Sequence, residues 1–465
     1  MVDNSDFTRR EFLKKTALTA GAASLGLPNN MMGNNLISKS KKMLTMARGH
    51  SWFEREPLIH SYGFKGGYIT RLWQVVSQLK DAEGNKSIGL GVQSPLWSDS
   101  SITSLWGESG SNAIMFNLTS RALQILSGQS FDTPIQMIED AFDEVHAYGI
   151  KLTNNTNLRK TFTLNALTSV DNAAWLLYAK QNKIDSFTEL IPSDYREAFS
   201  HKTETIASIP SISYSTSTSG IEEIKNSGQF FIKIKIGSPG SQQEMLEKDM
   251  HRIKLIDSSL RSATTQAISN KKFYYYLDAN GRYHGKETLV KLLDHCDRIK
   301  VLDKIAIVEE PFPEALEEDV SDLGARIAAD ESAHTDKEAQ KRIEMGYTGI
   351  ALKAMGKTLS NTIKIAKLAH DKGIPCFCTD LTVNPILVDW NKLLASHLPP
   401  FPGLKVGLLE TNGSQNYKNW NHMISYHPRG EASWNKPKNG LFTLNESFYR
   451  ESGGIFLEPD HYKNL

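Results

Sequence analysis

Residues 231–240 read FIKIKIGSPG. Phe231, Ile232, Ile234 and Ile236 suit a β-strand, and Gly237, Pro239 and Gly240 end it. Side chains two apart in a strand share a face, so Lys233 and Lys235 point the same way. In a parallel sheet covered on both sides that face is buried. Two adjacent ammonium groups inside a protein need anionic partners, and the rest of the chain supplies them.

From about residue 205 onward, short apolar strands alternate with helical patterns. The strand candidates are 206–215, 230–237, 272–280, 304–311, 325–332, 349–355, 374–381 and 404–411. Eight strands with crossover helices predict a (β/α)₈-type barrel, in which function is read at the C-terminal strand ends. Those ends are polar. The second strand ends in Lys233 and Lys235, the third in Asp278-Ala279-Asn280, and the fourth in Glu309-Glu310-Pro311. The fifth ends in Asp330-Glu331-Ser332, the sixth carries Lys353, the seventh ends in Asp380 and the eighth in Glu410.

A single strand-end Asp is more often the cap of the next helix than a ligand. Three carboxylates at the ends of adjacent strands are a different matter. They point into one mouth, and like charges resist ionisation unless a cation sits among them. Hard oxygen ligands suit Mg²⁺, so Asp278, Glu309 and Asp330 are the expected metal ligands. Glu310 and Glu331 are expected to point the other way and to support the ligands from behind. Lys235 and Lys353, four strands apart, should flank the mouth from opposite sides. A carboxylate substrate between them presents its α-carbon to two amines, while the metal stabilises the charge left when the α-proton departs. Burial, the metal and the neighbouring Lys233 are expected to lower the pKa of the base. Taken alone, the Lys233–Lys235 pair also fits a solvated edge strand, and Lys353 fits a surface lysine. Asp380 and Glu410 fit either substrate binding, at an ammonium or hydroxyl, or a structural salt bridge.

These five motifs, in this order, resemble the enolase superfamily. They are similar to its muconate lactonizing enzyme-like branch, the mandelate racemase/muconate lactonizing enzyme family, over roughly residues 50–412. Lys233-Ile234-Lys235 resembles that branch's Lys-x-Lys strand, whose second lysine is the base. The motifs beginning at Asp278, Glu309 and Asp330 resemble its three metal-ligand motifs, and Leu352-Lys353 its sixth-strand lysine. Enzymes of this superfamily use a Lys or His base with one or two Mg²⁺ ions. The resemblance implies a modified (β/α)₇β TIM barrel under an N-terminal α+β capping domain completed by C-terminal residues. It also implies that Asn280 helps to order the metal site. Two departures narrow it. No His ends strand seven, unlike mandelate racemase, and Glu410-Thr411-Asn412 stands where dipeptide epimerases have Asp-x-Asp.

Two opposed lysines suit racemisation or epimerisation of a small-molecule carboxylate. Dehydration and cycloisomerisation run on the same chemistry and remain open. A non-catalytic binding protein is the reading from another class, but it has no need of paired bases. Substrate choice is expected to lie in capping loops near residues 62–68 and 93–100.

The chain has 465 residues, 40% of them apolar, and a net charge of +1, which gives no sign of a nucleic-acid surface. Cys296, Cys376 and Cys378 make no disulfide framework and read as small core residues. Thr8-Arg9-Arg10-Glu11-Phe12-Leu13-Lys14 precedes a short apolar segment of small residues, matching a twin-arginine signal for export to the periplasm. No apolar run in the mature part is long enough to span a bilayer. The expected organisation is a signal and leader at 1–45, a capping domain at 46–204, the barrel at 205–412, and a segment at 413–465 that packs back on the capping domain. Whether the chain forms a homo-oligomer is open at this level.

Overall fold

The computed structural model describes residues 41–261, 263–268 and 271–463. The twin-arginine stretch and the leader to residue 40 lie outside them. Leu44–Thr45, assigned above to the leader, instead forms a short strand antiparallel to Ser130–Phe131. The buried Leu44 and Met46 explain this, because both side chains join the core.

The alternating segment that follows is a three-stranded antiparallel meander of Arg48–Phe64, Gly67–Lys80 and Lys86–Gln93. Three long helices cover it: Ser100–Leu126, Pro134–Thr153 and Lys160–Asn182. The third lies very close to the sheet. A Cβ at Gly89 would come 2.1 Å from the backbone nitrogen of Ala173, so only glycine permits the contact. Asn165 and Asn172 of this helix donate to the backbone carbonyls of Val92 and Leu90, at 2.8 Å each.

The barrel strands are β1 (Thr205–Ile209, resuming beyond Pro210 as Ser211–Ile212), β2 (Phe231–Lys235), β3 (Tyr274–Asp278) and β4 (Ile305–Glu309). They continue as β5 (Ile327–Ala329), β6 (Gly349–Leu352), β7 (Cys376–Cys378) and β8 (Gly407–Glu410). Neighbours pair in parallel and in sequence order. The first half of β1 pairs with β8 and the second half with β2, which closes the ring. The break at Pro210 follows from its missing N–H, although its carbonyl still accepts from Lys233 N at 2.9 Å. One further strand, Leu441–Thr443, adds antiparallel to β1 from outside.

Inside the barrel, Phe231, Tyr276, Ile307, Ala328, Ala351, Phe377 and Leu408 belong to one apolar cluster. Their sequence neighbours Ile232, Tyr275, Leu277, Val308, Ile327, Ile350 and Leu409 belong to a second cluster, shared with the helices. Strand periodicity therefore carries the inward face two residues further, to Lys233, Asp278, Glu309, Asp330, Lys353 and Glu410. A floor of apolar side chains thus underlies a polar mouth.

The segment after β6 is tied to the 160–182 helix. Asn165 donates to the Met355 carbonyl at 3.2 Å, and Asp171 accepts from Ser360 N at 3.0 Å. C-terminal residues close the assembly: Gln74 donates to the Tyr417 hydroxyl at 2.6 Å, and Asn419 donates to Glu56 at 3.0 Å. All three cysteines are free. No helix among the described residues is long and apolar enough to cross a membrane.

Candidate active site

The two lysines of β2 find their counter-charges on β3, β4 and β8. Lys233 Nζ lies 2.8 Å from Asp278 Oδ2, 2.9 Å from Glu309 Oε2 and 2.9 Å from Glu410 Oε2. Lys235 Nζ lies 2.6 Å from Asp278 Oδ2 and 3.0 Å from Asn280 Oδ1. Parallel register sets Lys235 directly beside Asp278 and Lys233 beside Tyr276. The solvated-edge reading of this strand therefore fails, because every residue of β2 is buried.

Across the mouth, Lys353 Nζ lies 2.6 Å from Asp330 Oδ2, and Lys357 lies 3.2 Å from Asp330 Oδ1. Asp330 thus stands under Lys353 much as Asp278 stands under Lys235. Both capping loops singled out in the sequence reach the site. The Phe64 ring is 5.5 Å from Lys235 Nζ and the Trp97 ring 4.6 Å from Lys353 Nζ. Lys65 donates to the Trp97 carbonyl at 2.5 Å and lies 3.6 Å from Glu331 Oε1.

Glu331 does not point away from the site. One oxygen each of Glu309, Asp330 and Glu331 lie within 4.8 Å of one another. Asn280 donates to Glu331 Oε1 at 3.0 Å, and its backbone N–H donates to Asp278 Oδ1 at 2.9 Å. Asn280 (φ 46°) and Glu310 (φ 39°) both adopt left-handed backbone conformations, the kind of local strain that collects at functional sites. Glu310 does turn outward, accepting from Asp330 N at 2.8 Å and Ser332 Oγ at 3.0 Å.

Asp380 and Glu410 are tied to each other and to backbone. Asp380 accepts from the backbone N–H groups of Leu381 at 2.8 Å, Val383 at 3.1 Å and Asn412 at 3.0 Å. Glu410 accepts from Asp380 N at 3.2 Å in addition to Lys233.

The charges do not balance. Seven buried carboxylates (Asp278, Glu309, Glu310, Asp330, Glu331, Asp380 and Glu410) face five buried lysines (Lys65, Lys233, Lys235, Lys353 and Lys357). The surplus negative charge calls for protons or a bound cation. Burial, with the Asp330 charge adding to it, pushes Glu309 up to about 8. Burial and the Glu331 charge push Glu310 up to about 7, and burial and Glu410 do the same for Asp380. Despite equal burial, Lys353 and Lys357 hold Asp330 well below the usual carboxylate range. The expectation of a lowered amine pKa is not met at Lys353, and Lys233, the neighbouring charge in that expectation, is itself raised. Burial alone would depress them, but the carboxylates in contact raise both above the ordinary lysine value.

The residues present fit a hard cation. Glu309 Oε1 and Glu331 Oε2 are buried oxygens without a hydrogen-bond partner, inside a cluster of oxygens from adjacent strand ends. Buried polar atoms are seldom left so. Oxygen-only donors of this kind suit Mg²⁺.

Several contributors escaped the sequence reading. Tyr276, whose hydroxyl donates to Glu309 Oε2, precedes Asp278 by two residues and so shares its face. Lys357 follows Lys353 by four residues, one helical turn. Lys65 belongs to a flagged loop, but nothing in the sequence distinguishes it within that loop.

An eight-stranded barrel with carboxylates on its third, fourth and fifth strands and lysines on its second and sixth defines an enolase-type domain. Residues 221–403, which hold β2 to β7, match the enolase C-terminal domain-like family. Solved structures agree on the fold. A mandelate racemase/muconate lactonizing protein from Herpetosiphon aurantiacus superposes with a TM-score of 0.58 at 14% identity, covering 86% of this chain and 96% of that one. The L-Ala-D/L-Glu epimerase from Bacillus subtilis gives 0.57 at 16% identity, covering 81% and 92%. The N-succinyl Arg/Lys racemase from Bacillus cereus gives 0.57 at 16%, covering 89% and 98%. No curated protein sequence matches the chain.

Proposed function

We propose that the protein is a Mg²⁺-dependent isomerase that moves the proton next to a substrate carboxylate, acting as a racemase or epimerase. One observation carries this reading: Lys235 and Lys353 sit on opposite flanks of one buried acidic cluster, each against a strand-end carboxylate. Asp278, Glu309 and Asp330 would hold the ion, with Glu331 beside them. When bound, the ion would supply Lewis-acid stabilisation of the charge left on the substrate carboxylate.

The remaining work falls to side chains. Lys235 Nζ takes the α-proton from one face, and Lys353 Nζ delivers a proton to the other. Lys233, gripped by three carboxylates, keeps its charge beside Lys235. Phe64 and Trp97 keep water from the amines. The reading is similar to what the names of an epimerase and a racemase among the structural relatives describe. Dehydration or cycloisomerisation uses the same first step.

Incubation with Mg²⁺ and a panel of chiral carboxylates in D₂O tests the proposal. Uptake of one deuterium with loss of optical activity is expected. Loss of water points to dehydration, and no uptake from any carboxylate retires the catalytic reading. The Arg9-Arg10 stretch supports export to the periplasm, to be tested by cell fractionation of the full chain against its Arg9→Lys, Arg10→Lys variant.

A further inference from the structure

A cavity of about 810 Å³ opens beside the acidic cluster, between residues 157–160 of the cap and the loops after β2, β3 and β4. Asn280 and Glu331 line its inner end and Arg282 its wall. On the other side of the mouth, a hydrogen bond from Asp380 N to Glu410 at 3.2 Å ties the ends of β7 and β8 together.

The cations around this cavity are not equivalent. Lys65 faces Glu331, Arg159 lies 3.0 Å from Glu314, and Lys160 pairs with Glu338. Arg282 has no carboxylate partner among the described residues. Its Nε donates to the Gly237 carbonyl at 2.6 Å, which fixes the plane of the group. Its Nη1 packs against the turn at Gly66 (φ +76°), where an added Cβ would stand 2.2 Å away. Neither Nη1 nor Nη2 has a hydrogen-bond partner among the described residues. A guanidinium held at one end with its fork unpaired is built to receive a carboxylate through two parallel hydrogen bonds.

We infer that Arg282 is a specificity-determining residue: the substrate carries a second carboxylate, which lies in this cavity on the Arg282 fork while the first lies at the acidic cluster. Only Gly281 separates Arg282 from Asn280, so one short loop serves both ends of such a ligand. This inference rests on the proposed function for the identity of the inner site.

Calorimetric titration at saturating Mg²⁺ tests it without requiring turnover. The probes are the straight-chain dicarboxylates from succinate to suberate and N-succinyl amino acids, each set against its monocarboxylate counterpart of equal length. At least one dicarboxylate is expected to bind roughly tenfold or more tightly than its counterpart, as a charge-assisted bidentate pair provides. Arg282→Gln should erase that preference and leave monocarboxylate affinity unchanged. Arg282→Lys keeps the charge but loses the fork. It should cut the preference several-fold, and it keeps the test decisive if the glutamine variant fails to fold. No preference in any pair, or a preference intact in these variants, overturns the inference. A preference lost in Arg282→Gln but accompanied by no deuterium uptake in the wild type retires the proton-transfer reading and leaves the subsite standing.

Discussion

Lys353 Nζ stands 2.6 Å from Asp330 Oδ2, so a residue assigned to proton transfer is also the counter-ion of a carboxylate assigned to the metal. Its removal should therefore separate the two jobs. Lys353→Ala and Lys235→Ala are each expected to lower the exchange rate by about 10²–10⁴-fold, the usual contribution of a general acid or base. Mg²⁺ affinity, read by calorimetry, should be undiminished, since each change removes a competing cation. A large loss of metal binding would reverse the assigned roles.

The identity of the third metal ligand separates the two descriptions of the site. The motif order assigns Asp278, whereas the compact cluster contains Glu331. Glu309→Gln, Asp330→Asn and Asp278→Asn are expected to weaken Mg²⁺ binding about tenfold or more, as loss of a charged ligand from a hard-cation site should. Glu331→Gln should cost less, because Asn280 and Lys65 already share one of its oxygens. If Glu331→Gln is crippling and Asp278→Asn mild, the set is Glu309, Asp330 and Glu331.

His397 makes stability depend on pH. Burial lowers its pKa to about 4, and the nearby Lys202 charge adds to this, while the hydrogen bond from Nδ1 to the Leu393 carbonyl opposes it. A histidine depressed in the folded state contributes stability above its unfolded value near 6.5, and that contribution is lost as pH falls through the folded value. This single group should remove about 3 kcal/mol between pH 7 and pH 4. Urea melts of the wild type and His397→Gln should show the gap between them narrowing by that order over this range.

Asp389 anchors the C-terminal segment. Its carboxylate accepts from Lys392 Nζ at 2.6 Å, His427 Nε2 at 2.9 Å and Trp434 Nε1 at 3.0 Å, all buried. Asp389→Ala strands a buried ammonium and should cost about 3–5 kcal/mol, visible as a lowered urea midpoint. Asp389→Asn, which can still accept from Trp434, should cost less.

Much of the barrel and its strand-end chemistry was legible because both are local. A period of two fixes which side chains share a face, and the residues that end a strand lie beside the apolar run that makes it. Lys233, Lys235, Asp278 and Lys353 were found on that basis. The misses are positions settled by distant parts of the chain. Pro210 splits what reads as one strand, yet the split matters only because β8 and β2 claim the two halves. Lys65 reaches Glu331 only after a hairpin tip has docked across the mouth, and Glu331 turns toward the cluster partly to meet it. The raised amine pKa values of Lys233 and Lys353 likewise depend on how many carboxylates surround each one, which no linear pattern records.

The outer strand at Leu441–Thr443 pairs with Thr205–Ala207, more than two hundred residues upstream. Synthesis runs from the N-terminus, so the first stave of the barrel waits on the ribosome for almost the whole message before its outside edge is covered. A premature stop just past Asn412 would yield a polypeptide that carries all the reactive groups named here, with a bare sheet edge open to neighbouring chains. Cells making this protein therefore face their aggregation hazard during translation.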